Sequence, residues 1–131
     1  MSPLRRMFVF AFWGAALFAY VDAIIPGVDA ISLSTWDKLN HMIAFFTITF
    51  LGRAAYPRIP VFRIFVAMAA FGAFIELSQA VPFIHRDAEW DDWFADIFAI
   101  VVGLILAWPF AILADKRRAR RASAAEETLA Q

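Results

Sequence analysis

Apolar residues fall into four long blocks along the chain, and charged residues gather in the gaps between them. Each block approaches the roughly 20 residues that a helix needs to cross about 30 Å of hydrocarbon at about 1.5 Å per residue. The pattern predicts helices over 7–25, 36–55, 61–81 and 92–113. The first follows Arg5-Arg6 and stops at Ile25-Pro26-Gly27. The second opens at Ser34-Thr35-Trp36-Asp37, where Ser34 can cap the helix and Asp37 suits its positive end. Pro60 and Pro82 bracket the third, and Trp90 and Trp93 place the start of the fourth at the headgroup layer. No internal repeat stands out. The expected fold class is all-α: an integral membrane four-helix bundle over residues 1–115, then a basic, disordered cytoplasmic tail over 116–131.

Composition agrees with this pattern. At 63% hydrophobic residues and 17% aromatic, the 131-residue chain holds more apolar material than the core of a soluble domain this small requires. A net charge of zero and the lack of basic residues interleaved with stacking aromatics set nucleic-acid binding aside. With no cysteine, disulfides, thiolate catalysis and thiolate metal sites are excluded.

Charge then orients the helices. Arg5-Arg6, the group Arg53, Arg58 and Arg63, and the run from Lys116 to Arg121 all fall on one side of a four-span topology. Asp22, Asp29 and Asp37, and later Asp87, Glu89, Asp91 and Asp92, fall on the other. The positive-inside rule puts both termini in the cytoplasm and the acidic loops outside the bacterial inner membrane. Arg5-Arg6 reads as an orientation anchor rather than part of a cleaved twin-arginine signal, because three further spans follow it.

Ionisable residues also enter the apolar blocks. Counted from their outer ends, His41, Glu76 and Asp96 lie at similar depth, about six residues or roughly 9 Å in. Helical spacing puts Asp37 with His41, Glu76 with Gln79, and Asp92 with Asp96 on common faces. Toward the basic end those faces turn small, with Ala44, then Ala69 and Ala73, then Ala99 and Gly103, as closely packed membrane helices require. Several carboxylates in one low-dielectric site cannot all stay ionised unless a cation joins them. Lys38, His41 and Arg86 are available, and a divalent cation such as Mg²⁺, Mn²⁺ or Zn²⁺ is the alternative. Ionisable groups at membrane depth point to function by default, against the plainer reading of a polar network that fixes helix register.

These residues carry a resemblance. "DKLNHMIAFF" (37–46), "ELSQ" (76–79) and the series Arg86, Asp92, Asp96, Gly103 resemble the VanZ-like family of small bacterial membrane proteins. That family's pattern is Asp-Lys-x-x-His-x-x-x-Phe/Tyr, Glu-x-x-Gln, then Arg, Asp, Asn/Asp and Gly. The likeness covers about residues 35–107; Asp96 stands where Asn is frequent, and Ala99 where Gly is. It implies a four-helix membrane domain whose motif residues, here Asp37, Lys38, His41, Glu76, Gln79, Arg86, Asp92 and Asp96, cluster near the outer face. The family's namesake is associated with resistance to the glycopeptide teicoplanin.

Three functions follow as expectations. In the first, the pocket binds or acts on an envelope lipid or lipid-linked cell-wall precursor. Asp37, His41, Glu76 and Asp92 would be its acid/base groups, with His41 shuttling a proton; Lys38, Gln79, Arg86 and Asp96 would hold the substrate, Lys38 and Arg86 at its phosphate. The second is a membrane scaffold without chemistry. The third, a small transporter, needs polar groups continuing through the inner halves of the helices, and those are lacking.

Overall fold

The computed structural model describes residues 3–25, 37–81 and 90–129, and these are helical apart from short turns. The described helices are α1 (Pro3–Ile24), α2 (Asp37–Ala55), α3 (Val61–Gln79) and α4 (Trp90–Leu129). Two ends differ from the sequence expectation. α1 starts before Arg5-Arg6, and α4 continues through residues 116–129, where a disordered tail is expected. Ala, Arg, Lys and Glu dominate that stretch and are strong helix formers, so the chain has no local reason to stop at Lys116.

Proline punctuates the turn between α2 and α3. Tyr56 N–H closes α2 on the Gly52 carbonyl (2.9 Å), Pro57 follows, and Pro60 presents its carbonyl to Arg63 N–H at 2.9 Å to start α3. α2 is the central helix, in contact with each of the others and most extensively with α4. The contacts show α2 and α4 running parallel: Lys38 meets Asp92, His41 faces Asp96, and Gly103 backs onto Thr49 and Phe46. A Cβ on Gly103 would stand 3.2 Å from the Phe46 carbonyl oxygen, so this glycine sets how closely the two helices approach. Gly52 does the same for α1, lying under the ring of Phe12.

Tyr20 stacks on Phe74 at 5.4 Å, so α1 and α3 meet as well. A short sequence likeness accompanies that contact. "AALFAYVD" (15–22) and "AAFGAFIE" (69–76) agree at three alanines and, conservatively, at the last three positions, and Trp-Asp follows each at the same distance, at 36–37 and 90–91. Tyr20 and Phe74 occupy matching positions in the two windows.

Three helical segments, Pro3–Ile24, Val61–Gln79 and Trp90–Ala114, are long and apolar enough to cross a membrane. α2, the fourth span expected, falls short because Lys38, Asn40, His41 and Arg53 interrupt it. Its position explains the difference. Large apolar side chains are exposed along α1 (Phe10, Leu17, Phe18), α3 (Phe62, Phe74, Leu77) and α4 (Phe94, Phe98, Ile105, Trp108), and none is exposed on α2. A helix enclosed by its neighbours has less need of an apolar surface. The core it shares with them is built on Phe45, Ile48, Ile75 and Ile100, each almost fully buried.

Candidate functional site

The polar residues on α2, α3 and α4 meet at the acidic end of the helices. α2 and α4 both begin there, and the positive ends of their parallel dipoles favour the acids of their first turns, among them Asp91 and Asp92. Lys38 Nζ lies 3.0 Å from Asp92 Oδ1 and 4.0 Å from Asp91 Oδ2. Asp91 is largely in solvent, while the Asp92 side chain is only 11% exposed, so this ion pair closes the mouth of the cluster.

One turn deeper, His41 Nδ1 stands 3.9 Å from Asp96 Oδ1. That separation is too long for a hydrogen bond. Asp96 is 1% exposed, and neither of its oxygens has a hydrogen-bond partner among the described residues. Its other oxygen rests against α3 at Gly72, where a Cβ would come within 3.2 Å. Glu76, also 1% exposed, and Asp92 both lie close enough to act electrostatically on the Asp96 carboxylate. The cluster therefore grades from a solvated ion pair to two buried carboxylates, one of which, Asp96, faces an imidazole.

Of the residues expected at the site, the structure brings together Lys38, His41, Glu76, Asp92 and Asp96. Gln79 turns elsewhere: its amide donates to the Ala23 carbonyl at 3.1 Å, tying α3 to the end of α1. Arg86 and the Asp37 side chain lie outside the described residues. Glu76 and Asp96 are equally buried, in keeping with their similar depth in the sequence.

Two residues escaped sequence reasoning. Trp93, expected at the headgroup layer beside Trp90, points inward; its indole N–H donates to the Ala69 carbonyl of α3 at 2.9 Å, and its ring lies against Gly72. Gly72 gives both Trp93 and Asp96 their space. The signal was present in the spacing, since Trp93 is one helical step from Asp96 on the same face.

An imidazole beside a buried carboxylate can move a proton, and an ammonium at the mouth can hold an anion. For a divalent cation the support is weaker: among the described residues no three His, Asp or Glu side chains are grouped to hold a metal. No family model matches the chain, and neither a curated protein nor a solved structure is significantly similar to it.

Proposed function

We propose that the chain is a VanZ-like, four-span protein of the bacterial inner membrane with both termini cytoplasmic, and that its acidic-end cluster binds the phosphate-bearing headgroup of an envelope lipid or lipid-linked cell-wall precursor. Apolar surface on α1, α3 and α4 supports the membrane reading, and α2 crosses within their shelter. Arg53, Arg58 and Arg63 at the opposite end from Asp91 and Asp92 support the orientation.

The observation that carries a working site is Asp96. A buried carboxylate without a hydrogen bond among the described residues is costly, and a purely structural network would satisfy it. In this reading Lys38, joined by Arg86 from the family motif, holds the phosphate, and His41 with Asp96 moves a proton at the bound headgroup. Any effect on teicoplanin susceptibility would come from competition for, or change in, that precursor. The test is complementation of a deletion strain by His41→Gln and Asp96→Asn under envelope stress and under teicoplanin, with protein level and melting followed in parallel. Lost complementation by folded protein supports the site; full complementation by both variants removes it.

The scaffold reading has its own observations. The Gln79–Ala23 and Trp93–Ala69 hydrogen bonds show two of the polar residues acting as ties between helices. Transport is disfavoured, because below the cluster the interior becomes Phe45, Ile48, Ala99 and Ile100.

A further inference from the structure

At the basic end, α1 and α4 both pack on α2 but scarcely touch each other. The gap between them is a cleft of about 410 Å³. Its walls are apolar, with Phe8 from α1, Phe50 from α2 and Ala107 and Phe110 from α4, and two arginines, Arg5 and Arg53, join the lining. This volume is of the scale that takes a small-molecule ligand, ~300–1,000 Å³.

The arginines are held in place. Arg5 Nε donates to the Ala55 carbonyl at 3.0 Å and Arg53 Nη1 to the Pro57 carbonyl at 2.6 Å, so both guanidinium groups are fixed around the C-terminus of α2. Each guanidinium has five N–H donors in a planar fork, the geometry suited to phosphate oxygens. Beyond them the lining is small on one side: Ala107, Ala111 and Ala114 leave an open strip along α4, which rises about 10 Å over those positions.

We infer that this cleft binds one anionic phospholipid of the leaflet at the basic end. Its phosphate sits on Arg53 and Arg5, and the upper part of one acyl chain lies along the alanine strip between Phe8 and Phe110. Charge selects the lipid and the apolar cleft receives it; neither feature serves the cluster at the acidic end. The inference rests on the membrane setting but not on the chemistry proposed for His41 and Asp96.

The test uses the full-length protein, stripped of lipid in a neutral detergent and offered phosphatidylglycerol, phosphatidylcholine or free glycerol phosphate, with retained molecules counted by native mass spectrometry. One phosphatidylglycerol should remain per chain, at least tenfold in excess of phosphatidylcholine, and glycerol phosphate should not be retained. Arg53→Gln should reduce retention at least tenfold. Because Arg53 also braces the turn after α2, a second variant leaves both arginines in place: Ala111→Phe fills the strip and should displace the lipid equally. A third, Lys116→Gln with Arg117→Gln, should leave retention unchanged. Retention that survives Ala111→Phe, or that is lost through the tail variant instead, would mean general attraction of anionic lipid to a basic surface and would overturn the site.

Discussion

His41 Nδ1 on α2 faces Asp96 Oδ1 on α4 across 3.9 Å, in a layer where Asp96 is almost completely buried. The neighbouring ion pair of Lys38 with Asp92 is shorter and lies closer to solvent. The two aspartates therefore differ in what they do for stability, although one helical turn separates them.

Asparagine in place of each should show that difference. Asp96→Asn keeps the shape and removes a buried acid crowded by Glu76 and Asp92, so the melting temperature should stay or rise. Asp92→Asn removes the shorter of the Lys38 ion pairs and should destabilise by about 1–2 kcal/mol, between the values for exposed and buried pairs. Thermal melting in detergent measures both. A large loss from Asp96→Asn would make that carboxylate a structural acceptor and remove the main support for a working site.

Glycine substitutions probe the packing around the cluster. Ala at Gly103 would meet the backbone carbonyl of Phe46, which cannot move without shifting α2, and should cost about 1–3 kcal/mol. Ala at Gly72 meets side chains, those of Asp96 and Trp93, so it should cost less stability while displacing the site. Gly14 has nothing within 4 Å, and Ala there should stabilise by up to about 1 kcal/mol through helix propensity. The same melting series ranks the three, and the order Gly103, Gly72, Gly14 is the expected one.

Much of this arrangement is readable in the chain. The depth of His41, Glu76 and Asp96 and the helical spacing of their neighbours bring α2, α3 and α4 together at one end, because a helix has fixed rise and pitch. What spacing cannot supply is the choice among residues sharing a face. Gln79 is one helical step from Glu76, yet it reaches a carbonyl on α1, and nothing in the order of residues says that α1 ends beside it. Trp93 likewise suits a headgroup belt by composition, and only the space left by Gly72 draws it inward. The enclosure of α2 is legible as lower hydropathy, although hydropathy alone excludes it from the spanning helices.

Orientation can be tested at exposed positions of both ends. A cysteine replacing Asp91, whose side chain is 86% exposed, should react with an impermeant thiol reagent added to intact cells. Cysteines at the exposed Arg58 and Ser123 should react only after permeabilisation. Ala55 is unsuitable because it is fully buried. The reverse labelling pattern would place the basic end outside, against the positive-inside rule.

Exchanging the two charges of the mouth pair gives the sharpest test of the α2–α4 register. Lys38 and Asp92 both lie in the first turns of parallel helices, so their interactions with the helix dipoles are alike in kind. Lys38→Asp gains what Asp92→Lys loses, about 0.3–1 kcal/mol each, and the two contributions cancel in the exchange. Each single substitution should be strongly destabilising: Lys38→Asp adds an acid beside Asp91 and Asp92, and Asp92→Lys sets two ammonium groups together. With both in place the pair re-forms with reversed polarity, and melting should return to within about 1 kcal/mol of the unmodified protein. An exchange no more stable than the worse single variant would show that the helices do not lie in this register. If stability returns and complementation does not, the cation on α2 is required for holding a ligand and not only for holding α4.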